Sequence, residues 1–253
     1  PLIMKLLFGN SLPSESVDGI AATIGNFDGV HLGHQALLRQ LCEEAFKQKL
    51  PTVVILFEPQ PGEFFMEHKA HARLTSLREK LALIEDLRLD YLYCLRFNNS
   101  LAAMSPEAFA EQIIFSRLNV KWLLVGRDFR FGKARKGDVD LLIKIGRQFG
   151  CTVVTFPDFI FQDCRISSTL VRQNLAQGQL KKASLFLGRP YSLSGRVIYG
   201  QGLGRQWGIP TANICMLRRV SPVQGIFCVQ VRRANGELLQ GVASLGTRPT
   251  VGG

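Results

Sequence analysis

Short apolar runs alternate with longer stretches of helical periodicity over residues 1–187. Segments 21–24, 52–57, 91–95, 122–125 and 152–156 are each brief and apolar, as strands buried on both faces of a parallel sheet are. Between them lie helical patterns. One starts at Ser76, where Glu79 completes a capping box ahead of Leu77, Leu81, Ile84 and Leu87. Another starts at Ser105, with Pro106 in the first turn where its missing amide hydrogen costs nothing. The β–α alternation predicts an α/β domain built on a parallel sheet. Beyond Gly188-Arg189-Pro190 the pattern changes to glycine-rich alternation, with strands expected at 191–199, 226–231 and 238–245. Asn235-Gly236 predicts a tight hairpin turn taking positive φ angles. The expected domains are therefore 1–187 and 188–253.

Composition narrows the class. A chain of 253 residues, 46% hydrophobic and 20% charged, can bury two modest cores and is too apolar for disorder. No run approaches the ~18 apolar residues of a membrane span, and no signal peptide is evident, so the expectation is a cytoplasmic protein without a membrane partner. Six cysteines without a C-x-x-C pair support neither a disulfide framework nor a zinc site. The net charge of +11 and a pI near 9.7 favour anionic partners. Charge alone does not choose between nucleic acid, acidic membranes and phosphorylated small molecules, because the cations are dispersed outside 127–136.

The most informative stretch follows the first expected strand: Gly25-Asn26-Phe27-Asp28-Gly29-Val30-His31-Leu32-Gly33-His34, leading into a helix with Leu37, Leu38 and Leu41. A strand, glycine turn and helix start present free amides and a positive helix end to an anion. Gly25, Gly29 and Gly33 let the backbone come close. His31 and His34, three apart, are expected on one side, both donating to the same phosphate oxygens. A zinc site would need further ligands, and none is spaced to supply them. The stretch 126–134 misses a Walker motif by one residue too many and by Ala134 where Ser or Thr is required.

This wording resembles the nucleotidyltransferase superfamily, and in particular the bacterial bifunctional riboflavin kinase/FAD synthetases. Phe57-Glu58-Pro59-Gln60-Pro61, then Val125-Gly126-Arg127-Asp128-Phe129-Arg130-Phe131-Gly132, then Ile166-Ser167-Ser168-Thr169-Leu170-Val171-Arg172 are similar to that family's motifs in order and spacing. The resemblance implies a Rossmann-like domain that transfers AMP from ATP to FMN, giving FAD and pyrophosphate, with Mg²⁺ and without a general base or covalent intermediate. His31, His34 and Arg172 would be catalytic. Gly25, Asn26, Phe27, Asp28, Gly29, Gly33, Asp128, Ser168 and Thr169 would bind ATP, while Phe57, Pro59 and Phe129 would meet the flavin. Ser167-Ser168-Thr169 also reads as a helix N-cap, and Asp128 equally as a turn residue. Phe64 and Phe65 suit an isoalloxazine contact and a core role alike.

The second half resembles a riboflavin kinase β-barrel that turns riboflavin into FMN. Gly202, Gly204 and Arg205 would then cradle nucleotide, and Thr211 and Asn213 of Pro210-Thr211-Ala212-Asn213 would offer hard oxygens to Mg²⁺. A glycine loop between strands is the plainer alternative. The family's kinase base lies downstream of the segment 246–250, so the kinase half is expected to be incomplete. Two other readings stay in view: a different nucleotidyltransferase with the same histidine pair, such as one acting on phosphopantetheine, and a nucleic-acid-binding module using 127–136, where Phe129 and Phe131 mix with Arg130, Lys133, Arg135 and Lys136. A class I aminoacyl-tRNA synthetase shares the histidine signature, but no Lys-Met-Ser-Lys-Ser motif is present. Small-molecule substrates rather than nucleic acid are the expected partners, with self-association left open.

Overall fold

The computed structural model describes residues 4–9, 18–66, 71–200, 208, 211–216 and 220–246. The first part runs β1 (Lys5–Phe8), β2 (Ile20–Ile24), α1 (Leu32–Gln48), β3 (Thr52–Glu58), α2 (Pro61–Phe65), α3 (Leu77–Ile84), β4 (Tyr91–Arg96), α4 (Asn99–Ala103), α5 (Pro106–Ala108), β5 (Val120–Gly126), α6 (Val139–Gln148) and β6 (Thr152–Phe156). Its six strands are all parallel, in the order β1-β4-β3-β2-β5-β6. The expected strands are all present, most of them a residue or two longer. β1 was not expected; it is a four-residue edge strand with both ends exposed.

Side chains of successive strand residues fall on opposite faces. Ile20, Ala22, Ile24, Ile55, Leu123 and Val125 meet α6 and the segment Phe109–Arg117 on one face. Ala21, Val54, Leu92 and Leu124 meet Leu37, Leu38 and Leu41 of α1 and Ile84 of α3 on the other. The helix expected from Ser105 begins there, with Ser105 Oγ accepting from the Ala108 amide at 3.1 Å, but after Ala108 it widens into π-helical turns. α3 starts on its capping box: Glu79 N donates to Ser76 Oγ at 3.3 Å and Ser76 N to Glu79 Oε2 at 2.7 Å.

β2 has β3 on one side and β5 on the other, so the crossovers leave it in opposite directions. The crevice outside the carboxyl ends of β2 and β5 is the place where open α/β sheets bind ligands. A hairpin of β7 (Ile160–Phe161) and β8 (Cys164–Arg165) and the helices α7 (Ser168–Ala176) and α8 (Leu180–Leu187) complete this part.

The remaining strands are β9 (Arg196–Ile198), β10 (Asn213–Cys215), β11 (Gly225–Arg232) and β12 (Leu238–Leu245). Among the described residues they form two separate antiparallel pairs, which do not by themselves make the barrel expected from sequence. Strand 191–199 shrinks to β9, because Tyr191, Leu193 and Ser194 are engaged by the first part of the chain: Tyr191 and Leu193 pack against a core of Leu74, Val171, Leu175 and Leu187 that Val223 also joins. The β11–β12 turn is wider than expected. Gly236 N donates to the Arg233 carbonyl and Arg233 N to the Glu237 carbonyl, both at 2.9 Å, and of the pair Asn235-Gly236 only Gly236 has positive φ (87°). This is a three-residue loop ending in a left-handed glycine rather than a two-residue turn.

Candidate active site

The turn after β2 reverses direction through Phe27 (φ 46°), Gly29 (φ 84°) and Val30 (φ 42°), tied by Val30 N donating to the Phe27 carbonyl at 3.2 Å. Gly29 is required there on two counts: its φ, and a Cβ that would lie 2.8 Å from Leu74 Cδ1. A Cβ on Gly33 would crowd Phe159 and the His31 ring at 3.2 and 3.3 Å.

His31 lies outside the helix as the N-cap of α1, its Nδ1 accepting from the His34 amide at 3.2 Å. The neutral ring therefore carries its proton on Nε2. His34 stacks on it with centroids 3.6 Å apart and planes 17° apart, and leans on Phe27 at 5.0 Å. Burial pushes the His31 pKa down to about 4, against Asp28, which pulls it up; Arg189 and Arg172 lower it further. Burial also holds His34 well below its usual range, with His31, Lys80 and Arg172 adding to the effect. One ring nitrogen of His31 is thus committed to the helix cap, leaving Nε2–H as its single donor, and burial keeps both rings neutral at pH 7.

Asp28 is only 2% exposed, and its carboxylate accepts from Leu74 N (3.0 Å), Thr75 N (2.9 Å), Thr75 Oγ1 (3.1 Å) and Arg172 Nη2 (2.5 Å). Such a saturated carboxylate organises the loop; it has no free oxygen face for nucleotide or metal. Arg172, expected as a free clamp, gives Nη2 to Asp28 and Nε to the Ala72 carbonyl at 2.7 Å. Ser168 Oγ donates to the Asp28 carbonyl at 2.8 Å, and Ser167 is the N-cap of α7, accepting from Leu170 N at 3.2 Å. Thr169 and Asn26 are exposed. The N-termini of α1 and α7 thus meet at the Asp28 hub. Orphaned buried atoms on this side include His34 Nδ1, Glu58 Oε2 and Gln60 Nε2.

The other sequence candidates separate. Asp128 is exposed and ion-paired with Arg165, whose Nε also meets Asp158 at 2.9 Å. Phe129 stacks on Phe131 at 5.7 Å, and Phe131 is buried against Phe109. Phe131 is thus part of the core, while Phe129 is half-buried. Phe57 packs edge-on against Phe97 at 5.7 Å and joins the core, whereas Pro59 is exposed and Phe65 stands at 64% exposure beside Phe97. Thr211 and Asn213 are both exposed, and a Cβ on Gly200 would fall 2.0 Å from Asn213 Nδ2, so that glycine makes room for the amide. Gly202, Gly204 and Arg205 lie outside the described residues. Among the described residues no cluster of His, Cys, Asp and Glu could hold a metal, and no helix is long and apolar enough to cross a membrane.

Sequence reasoning missed Thr75, Gln35, Lys80 and Arg189. Thr75 Oγ1 accepts from Gly29 N at 2.9 Å, and Gln35 Nε2 donates to the carbonyls of Val30 (2.9 Å) and Leu187 (3.0 Å). Lys80 is 1% exposed, and burial lowers its pKa. Glycine and proline flanking Arg189 were the only signal there, and they mark a boundary rather than a partner.

A family model described as FAD synthetase matches residues 14–170, and one described as riboflavin kinase matches 187–253. A bifunctional riboflavin kinase/FMN adenylyltransferase of Escherichia coli (strain K12) is 48% identical over 99% of this chain and 80% of that protein. Proteins of the same name from Haemophilus influenzae and Pseudomonas fluorescens are 43% and 44% identical, over 99% and 93% of this chain and 81% and 75% of theirs. Among solved structures, one titled as a macrolide-efflux protein from Streptococcus pneumoniae superimposes with a TM-score of 0.78 at 27% identity, covering 97% of this chain and 80% of that one. The second model match shows that the kinase domain is present; it lends no support to the expectation that this domain is incomplete.

Proposed function

The chain belongs to the bifunctional riboflavin kinase/FMN adenylyltransferase family, and from that premise we propose that its α/β part joins FMN to the AMP moiety of ATP at the crevice between β2 and β5. A phosphate oxygen of FMN attacks the α-phosphorus; the new P–O bond forms as the bond to pyrophosphate breaks, and pyrophosphate leaves with the electron pair. The FMN phosphate, with a second pKa of about 6, is already a dianion near pH 7 and needs no base. The chain's task is orientation and charge stabilisation. The turn amides and the start of α1 face the phosphates, and the Nε2–H of His31 donates to them as a neutral group. His34 supports the His31 ring by stacking. Asp28 and Arg172, with Ser168, lock the turn to α7, and Thr169 remains exposed to meet ligand. The exposed Asp128, together with Phe129 and Pro59, and the rim at Phe65 are where ribose and isoalloxazine would rest.

Mg²⁺ fits here as the counterion of ATP phosphates, since it takes few protein ligands and keeps waters and substrate oxygens. In the second domain Thr211 and Asn213 would hold it, while Gly202, Gly204 and Arg205 would wrap nucleotide as riboflavin is phosphorylated. The β9–β10 and β11–β12 pairs are taken as parts of a β-barrel. Val197, Ile226 and Val242 at 71%, 76% and 72% exposure leave apolar faces, as strands of a larger closed sheet would. The site of action is placed in the cytoplasm, where ATP is available.

The observation that carries the reading of the first domain is the stacked, neutral His31–His34 pair at the head of α1 beside the β2–β5 crevice. The test is incubation with FMN, ATP and Mg²⁺ and detection of FAD and pyrophosphate. Replacing His31 by Ala is expected to remove about 2 to 4 kcal/mol of transition-state stabilisation. Unchanged turnover in a His31→Ala/His34→Ala double variant refutes the mechanism.

A further inference from the structure

The chain leaves the α/β part at Gly188 and by residue 194 has fastened two of its loops and the first turn of α3. Arg189 donates to the carbonyls of Gly29 (2.6 Å), Val30 (3.1 Å) and Leu187 (3.1 Å). Tyr191 Oη donates to the Leu74 carbonyl at 2.9 Å. The amide and hydroxyl of Ser194 donate to Glu79 Oε1 at 2.7 and 2.9 Å.

The two turn carbonyls that Arg189 takes belong to the strained part of the turn. Gly29 has φ 84° and Val30 φ 42°, a left-handed conformation that costs a β-branched residue energy and persists only where its surroundings over-determine it. Three groups do so: Thr75 Oγ1 accepts from Gly29 N, Gln35 Nε2 donates to the Val30 carbonyl, and the Arg189 fork spans both carbonyls. His31 is the next residue, so the orientation of the Val30 peptide sets where its ring stands. A guanidinium presents planar, divergent N–H groups to two neighbouring carbonyls at once, and an ammonium on a flexible stem does not. Among the described residues the hydrogen-bond partners of the Arg189 guanidinium are carbonyl oxygens, and the Glu79 carboxylate acts on it only through space.

We propose that Arg189, although it falls in the segment matched to the riboflavin kinase, is a positioning residue for adenylyl transfer: it fixes the Gly29 and Val30 carbonyls so that the turn amides and His31 face the triphosphate. The inference rests on the reading of the first domain given above, and the experiment separates the two. It uses the whole chain. Formation of FAD by the unsubstituted chain decides the underlying reading. Arg189→Lys and Arg189→Ala are then compared with it for kcat, KM and thermal unfolding. The expected result is a fall in kcat of about 10- to 100-fold in both variants, the cost of a misplaced reacting group, while KM for FMN stays within about twofold. Millimolar guanidinium ion is expected to restore part of the lost rate in Arg189→Ala, and urea at the same concentration is not. Unchanged kcat in both variants overturns the proposal. So does a loss that only tracks the unfolded fraction seen by circular dichroism and that guanidinium does not relieve.

Discussion

Replacing Asp28 by Asn keeps the shape of the side chain but leaves the Arg172 guanidinium without its counter-charge and puts an amide donor against the donating amide of either Leu74 or Thr75. Breaking a mostly buried pair in this way is expected to cost about 3 kcal/mol in urea unfolding and to abolish FAD formation; a change under about 0.5 kcal/mol would mean that Asp28 is not the hub described. The histidines give a pH signature. The folded-state pKa of His31 lies near 4 against 6.5 in the unfolded chain, so between those values the unfolded state binds more protons. Stability is therefore full above pH 6.5 and falls as the pH drops towards 4, by about 3 kcal/mol from His31 alone, with His34 acting in the same direction. Urea titrations from pH 4 to 8 should show this slope, and a His31→Gln/His34→Gln variant should flatten it. Because both rings are neutral above that window, the acid limb of kcat should follow the FMN phosphate near pH 6 and persist when His34 is Gln.

At the scale of elements, the Gly25–His31 turn is the part most exposed to a backbone test. Gly29→Ala would force a Cβ into the left-handed region and 2.8 Å from Leu74. The expected cost exceeds about 1 kcal/mol, with loss of FAD formation and with α3 intact by its own capping box. Glu79 links elements in a way its motif does not reveal: one carboxylate oxygen caps α3 and the other holds Ser194. Glu79→Gln keeps the size and should cost about 1 kcal/mol in thermal unfolding, since an amide can accept from only one side. Nothing in the adjacent residues signals this, because the capping box already explains Glu79 locally. The widened turns of Phe109–Arg117 were equally hidden, as apolar spacing does not distinguish α- from π-helical winding over so few residues.

For the whole molecule, a net charge of +11 around an anion-binding crevice should make capture of ATP and FMN sensitive to ionic strength. KM for ATP is expected to rise several-fold between about 0.05 and 0.5 M salt while kcat changes little. Single-stranded DNA should not inhibit, since Phe131 is buried and Phe129 lies against it. Five of the six parallel strands, the helix starts at Ser76 and Ser105, the β–α alternation and the Gly25–His34 motif were legible in the sequence, because burial periodicity, capping boxes and glycine turns are local properties written in adjacent residues. Two local rules still misjudged their outcome: at Asn235-Gly236 the hairpin closes one residue wider, on bonds between Arg233, Gly236 and Glu237, and in segment 191–199 partners from elsewhere in the chain take Tyr191 and Ser194 out of the strand. The identity of β2 as the switch strand, the commitment of Asp28 and Arg172 to each other, the burial that keeps both histidines neutral, and the reach of Arg189 back to Gly29 were decided only by the tertiary structure. Each depends on residues far apart in the chain meeting at one place, where burial removes water and leaves every polar group to find its partner in the fold.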